Sequence, residues 1–266
     1  MTINKQRPSE KPAAIFVPGA IMPSELAYGP LLEVIGNQIQ PIVKELEVYA
    51  TGAPPPNYGL ELEVESIRHA ADAAGVKRFH LVGYSAGGAA SLAFAAKYPE
   101  RLRSLVLIEP AWIGSVTPEM AQDWTELNRL MDLAPDERMG AFMRWQMRAG
   151  LGPPLLPLPP GPPPAWMAKR PAGLEAFARA FNTYKLDQNG FRQFNQPVYY
   201  ALGSLSTRYY EYGAKRLAAL FPDMQIEEYE GRSHLDPPHR REVERFARAL
   251  RALWARGDAL TAVESV

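Results

Sequence analysis

The residues most able to do chemistry stand in Gly83-Tyr84-Ser85-Ala86-Gly87-Gly88, between a short apolar run and a helix of small residues. They fit the pattern G-x-S-x-G in a strand–turn–helix context, which is the context the motif requires. The spacing has a physical reason. A serine on so tight a turn has strained backbone angles, and its neighbours two before and two after must be small for strand and helix to approach. Its hydroxyl then projects at the carboxyl end of a sheet. The next amide points to the same spot from a helix N-terminus, where it can hold developing negative charge. Ser85 is the expected nucleophile.

A serine hydroxyl is a weak nucleophile and needs a base. Four histidines are available, His69, His80, His234 and His239. Enzymes built on this turn run serine, acid, histidine along the chain, which disfavours the first two. His69 lies on a helical pattern and reads as solvated, and His80 lies inside the strand before the turn and reads as a core residue. His239 falls beside Arg240 and Arg241 and reads as surface. His234, in Gly231-Arg232-Ser233-His234 before the final helix, is the expected base. For the acid, the usual place after Val198–Leu202 offers Gly203-Ser204-Leu205-Ser206-Thr207, with no carboxylate. Glu109 follows the strand Leu105–Ile108, 24 positions after Ser85, and is the preferred candidate. The competing reading leaves Glu109 bonded to the sheet end, with Ser206 or a water orienting His234. Asp236 is too near His234 in sequence to reach behind its ring.

The elements that must position these groups are legible in the hydrophobic pattern. Ala13–Val17, Ile42–Tyr49, Phe79–Gly83, Leu105–Ile108, Val198–Leu202 and Gln225–Tyr229 read as strands, and the apolar, unalternating runs of the first block suit a parallel sheet covered on both faces. Helical patterns over Ser24–Ile39, Tyr58–Ala74, Ala86–Lys97, Tyr209–Leu220 and Pro238–Ala255 alternate with them, which means βαβ units. Residues 112–190 break the rhythm with helical periodicity over Pro118–Met131, Pro135–Ala149 and Ala172–Lys185. The expected fold is therefore α/β, a mostly parallel sheet of about six strands flanked by helices. A core of residues 1–111 and 191–266 carries an insertion at 112–190, and Asp258–Val266 reads as a loose tail.

Composition excludes several classes of function. The 266 residues hold 29 basic and 29 acidic side chains, so the charge footprint that a nucleic-acid backbone requires is missing. With no cysteine, disulfides, thiolate nucleophiles and cysteine-ligated metals are ruled out. The polar start MTINKQRPSEKP has no signal-peptide core, and no apolar run approaches the roughly 18–20 residues of a membrane span. A soluble, cytoplasmic protein is expected. Prolines number 26, and eight of them crowd into Leu151–Pro164, which must be an extended connector because proline lacks the amide donor.

With these residues in view, 13–111 and 191–257 resemble the α/β-hydrolase superfamily. The resemblance rests on GYSAGG, on A-x-x-Y-P-E-R-L-x-S-L-V-L-I-E-P from Ala95 to Pro110, and on G-x-x-H before the last helix. An acid at Glu109 is similar to the arrangement in haloalkane dehalogenase-like enzymes. Those enzymes and epoxide hydrolases use aspartate at the turn, so Ser85 argues against both activities and implies an acyl-enzyme. Where the superfamily usually has His-Gly after its first parallel strand, this chain has Pro18-Gly19-Ala20. The resemblance implies Ala20 and Ala86 amides as the oxyanion hole, each donor contributing about 2.7–4 kcal/mol. Only about twelve residues precede the first strand, so the customary N-terminal hairpin is expected to be missing or reduced. The insertion resembles the superfamily's helical lids, and Met139, Met143 and Met147 recur every four residues on one face. An apolar, adaptable substrate pocket follows, with Tyr84, Trp112, Met143 and Met147 as its expected lining.

The expected function is hydrolysis of a carboxylic ester, lactone or similar acyl bond of a mainly apolar small molecule. Such a serine hydrolase needs no metal or organic cofactor. A small-molecule substrate is the only partner expected, neither nucleic acid nor membrane, with monomer and dimer both open. Carbon–carbon bond hydrolysis, perhydrolysis or lyase chemistry would use the same site. A slow-turnover ligand receptor would keep the same residues.

Overall fold

A computed structural model describes residues 11–111, 114, 116–148, 162 and 164–264. Six strands form one sheet in the order β2-β1-β3-β4-β5-β6: β1 (Ala13–Val17), β2 (Gln40–Val43), β3 (Phe79–Tyr84), β4 (Leu102–Ile108), β5 (Val198–Gly203) and β6 (Met224–Tyr229). Every neighbouring pair is parallel. In β1, β3, β4 and β5 the apolar runs without alternation are explained by burial on both sides, whereas the edge strands β2 and β6 are largely half-buried or exposed. Ile15, Leu81, Leu105, Leu107 and Tyr200 enter one core layer, while Phe16, Val82, Val106, Ile108 and Tyr199 enter the other.

The helices α1 (Ser24–Ile35), α2 (Leu60–Ala73) and α3 (Ala86–Lys97) connect the first four strands. After β4 come α4 (Ala121–Met131), α5 (Pro135–Trp145) and α6 (Arg170–Thr183), in the segment where strand signals ceased. The chain then returns through β5, α7 (Arg208–Ala218), β6, the short α8 (Pro238–Arg241) and α9 (Val243–Glu264). Residues of α2, α3 and α7 fill the first layer, and those of α1 and α9 fill the second. Among the described residues no helix is long and apolar enough to cross a membrane.

Because β1 lies between β2 and β3, the chain reverses its direction of travel across the sheet there. This opens a crevice at the carboxyl ends of β1 and β3, the place where open α/β sheets take ligands. The start of α3 closes on that crevice, and the Gly87 amide donates to the Pro18 carbonyl over 3.0 Å. A methyl group on Gly87 would overlap the carbonyl oxygens of Val17 and Pro18, and one on Gly83 would overlap Ser91 and the Gly87 carbonyl.

Two sequence expectations need correction. The segment read as one strand from Ile42 to Tyr49 is a strand only over Gln40–Val43, followed by a turn of 3₁₀ helix at Glu47–Tyr49. That turn is tied down by buried Glu63, which accepts from the Glu47 and Val48 amides and from the Tyr58 hydroxyl. Second, Asp258–Val266 is no loose tail as far as Glu264, because α9 runs through it. Asp258 receives a 2.7 Å bond from Arg103 Nη1, and Gly257 sits against the Arg103 carbonyl, which anchors the helix end. Of the proline-rich stretch, only residues 162 and 164 are described.

Glycine substitutions test this packing with opposite signs. Gly87→Ala should lower stability by about 1–3 kcal/mol, since the methyl meets fixed backbone. Gly213→Ala, inside α7 with only the Tyr200 hydroxyl at 3.9 Å, should be neutral or stabilise by about 0.5–1 kcal/mol. Urea-unfolding midpoints at constant m-value check both.

Candidate active site

Ser85 occupies the turn between β3 and α3 with φ 51° and ψ −115°. Its amide donates to the Ile108 carbonyl, and its carbonyl accepts from the Ala111 amide, each over 3.0 Å. The strained turn is thereby bonded to the end of the neighbouring strand on both sides. Glu109, the first residue after β4, has φ 43°. Among the described residues, Ser85 and Glu109 are the two non-glycine positions with positive φ. Backbone strain of this kind costs on the order of 1–3 kcal/mol per residue and persists only where surrounding structure holds it.

Glu109 is buried, and its two carboxyl oxygens have separate partners. Oε1 accepts from the Gly203 amide at the end of β5 over 2.7 Å. Oε2 lies 2.8 Å from His234 Nδ1. The other ring nitrogen, Nε2, is 3.0 Å from Ser85 Oγ. The structure thus joins Ser85, His234 and Glu109 in one hydrogen-bonded row, with the nucleophile candidate, imidazole and carboxylate in the order proton transfer needs. Ser206 does not take the carboxylate's place, because its hydroxyl is buried without a hydrogen-bond partner. Asp236 is held by Arg232 and Arg241, away from the ring.

His234 is fixed from both faces. Tyr210 stacks on it with ring centroids 4.3 Å apart and planes 6° from parallel. Tyr84 lies 5.0 Å away on another side and donates its hydroxyl hydrogen bond to the His234 carbonyl. Burial, with the Glu109 carboxylate next in weight, pushes the Tyr84 and Tyr210 phenols upward in pKa, so both stay protonated donors. The Tyr210 hydroxyl donates to Gln146 Oε1, which leaves its oxygen 3.2 Å from His234 Nε2. Tyr210 and Gln146 were not singled out from the sequence. They lie 64 positions apart and meet only through the fold.

Two cavities open on Ser85. One is lined by Ala20, Ala86, Trp124, Phe142, Leu174 and Phe177, among others, with Asn128 and Asn182. The other runs past His234 and is lined by Ala20, Tyr84, Met143, Pro237 and Arg240, among others. Phe142 and Gln146 border both. The expected oxyanion residues Ala20 and Ala86 lie with Ser85 on the wall of the first cavity, and Tyr84 and Met143 line the second. Met147 lines neither cavity. Its backbone forms an antiparallel bridge with Ser206, and this bridge sets the end of the α5 segment against the loop after β5. Trp112 lies outside the described residues. Among the described residues no group of three or more His, Cys, Asp or Glu side chains could hold a metal ion.

Among the histidines, the expectation for His239 needs correction. It is buried beneath the site, between Tyr28 and Tyr84, and neither ring nitrogen has a hydrogen-bond partner. The basic neighbours in sequence suggest a surface helix, but α8 turns His239, with Pro238, inward. His80 is in the core as expected, with Nδ1 2.9 Å from Ser104 Oγ.

Comparison with known proteins adds the following. A family model described as alpha/beta hydrolase fold matches residues 49–155. A 2-hydroxy-6-oxo-6-phenylhexa-2,4-dienoate hydrolase of Comamonas testosteroni is 43% identical over 54 residues, 20% of this chain and 19% of that protein. The matching stretch thus spans about a fifth of that relative's length. Among solved structures, a thermophilic esterase of Thermogutta terrifontis has a TM-score of 0.67 at 17% identity, covering 93% of this chain and 91% of its own. Carboxylesterase CesB of Bacillus subtilis has a TM-score of 0.65 at 18% identity, covering 92% and 84%.

The buried His239 generates a pH prediction. Burial, reinforced by Arg240 and then His234, pulls its pKa down to about 3. The unfolded chain titrates it near about 6.5, so below that pH the unfolded state binds a proton that the folded state excludes. Its contribution to stability is present above about pH 6.5 and is lost as pH falls toward about 3, by up to about 1.4 kcal/mol per pH unit. His239→Phe should flatten the decline by that slope, read from urea-unfolding free energies between about pH 7 and about pH 5.

Proposed function

On the premise that this chain carries the α/β-hydrolase fold, as its likeness to solved esterases across more than nine-tenths of its length shows, we propose that it is a serine hydrolase of carboxylic esters or lactones. The observation that carries this reading is the row Ser85–His234–Glu109, with 3.0 Å and 2.8 Å between its members. In the proposed reaction His234 Nε2 takes the hydroxyl proton as Ser85 Oγ attacks the acyl carbon. Glu109 holds the Nδ1–H tautomer and stabilises the imidazolium that forms. The Ala20 and Ala86 amides stabilise the oxyanion, fixed in place before the charge develops.

His234 then donates its proton to the leaving oxygen, and water repeats the sequence on the acyl-enzyme. Tyr210 supports the charged stage. Its own proton is committed to Gln146, so its oxygen is free to accept from Nε2–H of the imidazolium. The cavity bounded by Trp124, Leu174 and Phe177 suits an apolar acyl group. Helices α4 and α6, which supply those residues, and α5, which supplies Phe142, act in this reading as a lid over the sheet's carboxyl end, and residues 1–111 and 191–266 act as the catalytic core.

A second reading, hydrolysis of a carbon–carbon bond, is favoured by the local identity to the Comamonas dienoate hydrolase. The same serine and histidine serve there, and the two readings separate by substrate. Wild-type protein is expected to hydrolyse 4-nitrophenyl butyrate with multiple turnovers and to be labelled by a fluorophosphonate. Ser85→Ala and His234→Ala should lose both, with kcat falling on the order of 10⁶-fold, and Glu109→Gln should lose roughly 10²- to 10⁴-fold. Full turnover by Ser85→Ala would overturn the assignment. Turnover of 2-hydroxy-6-oxo-6-phenylhexa-2,4-dienoate well above that of the ester would favour the second reading.

A further inference from the structure

The cavity that runs past His234 contains one cation, Arg240, whose charge no acidic side chain answers among the described residues. Arg240 lines it, is only partly exposed, and has a buried Nε without a hydrogen-bond partner. Among the described residues its guanidinium has no ion-pair or hydrogen-bond partner. The nearby acids are already engaged. Asp236 is bound by Arg232 and Arg241, Glu242 by Arg232 and Arg245, and Glu227 by Arg245. Glu109 is occupied by His234 and the Gly203 amide. Apart from Tyr84, Ser85, Gln146 and His234 the other side chains of this wall are apolar, Ile21, Met22, Ala27 and Pro237 among them.

A guanidinium set in an apolar wall has lost hydration without gaining a counter-charge, and its planar donors match a carboxylate. The side of the scissile bond follows from the chemistry. His234 must protonate the leaving oxygen, so the leaving group lies on the His234 side, and Arg240 shares that cavity with His234. The other cavity at Ser85, which His234 does not line, has no charged lining residue.

Resting on the serine-hydrolase reading above, we propose that Arg240 binds a carboxylate carried by the leaving alcohol, so that the preferred substrates are apolar acyl esters of hydroxy acids. Specificity is then divided at Ser85, with apolar recognition of the acyl group and charge recognition of the alcohol.

The test compares butyrate esters of 3-hydroxybenzoate and 3-hydroxybenzamide, which differ in charge and little in shape. Wild type should favour the benzoate ester in kcat/KM, after correction for hydroxide-catalysed rates. Arg240→Gln should reduce that preference about 10- to 100-fold, and Arg240→Lys should retain part of it, since it keeps the charge but not the fork. No benzoate preference in wild type, or an equal preference in wild type and Arg240→Gln, overturns the proposal. Fluorophosphonate labelling of Ser85 reports separately on the serine-hydrolase reading. If neither ester turns over, calorimetric binding of 3-hydroxybenzoate against 3-hydroxybenzamide decides. Tighter benzoate binding in wild type, weakened at least about 10-fold in Arg240→Gln, sustains the carboxylate site, and equal affinities overturn it.

Discussion

The close approach of α3 to the carboxyl ends of β1 and β3 is the constraint on which the rest depends. It is made by backbone against backbone, with the Gly87 amide on the Pro18 carbonyl and no room for a side chain at Gly83 or Gly87. Ser85 can hold φ 51° only because its amide and carbonyl are bonded across to β4 and the residues after it. The same contact brings Ala20, from the loop after β1, beside Ala86 and Ser85. One packing event thus exposes the hydroxyl and gathers the two amides proposed to stabilise charge on its adduct.

Strain recurs once more, at Glu109, and with a related purpose. A residue at φ 43° directly after a strand turns out of the strand direction, and here the turn points the carboxylate toward β5. The Gly203 amide fixes one oxygen, and the other is left for His234. That arrangement explains how the loop after β5 can lack an acid, since β4 and β5 are neighbours and the carboxylate needs to cross only one strand spacing. The loop after β5 contributes a backbone donor in place of a side chain.

Around His234 the protein has built an aromatic enclosure that does two things. Tyr210 and Tyr84 restrict the ring's rotation, and they exclude water from its faces. Restricting the ring favours the one orientation that connects Ser85 with Glu109, and excluding water strengthens both hydrogen bonds. Beneath this enclosure His239 stays neutral against Tyr28 and Tyr84. The consequence is a site whose support is itself sensitive to acid.

How much of this was legible in the chain follows from what each signal measures. Apolar runs and helical periodicity report burial of local segments, so the strands other than β2, α3 from Ala86 to Lys97 and the break after β4 could be read directly. The turn at Ser85 was equally visible, because its glycines answer a local steric demand. Glu109 could be reached by elimination, since the loop after β5 offers no carboxylate. Periodicity failed where a distant partner decides. The Arg103–Asp258 bond keeps α9 helical where composition suggested a tail, and the bridge to Ser206 takes Met147 out of the cavity wall. His239 and Arg240 are adjacent in sequence, yet one is buried beneath the site and the other faces a cavity beside it. The sequence alone determined which elements form and which serine, histidine and glutamate were available. Tertiary structure decided which side chains from α5, α7 and α8 surround them, because those contacts join residues many tens of positions apart and no local pattern encodes their direction.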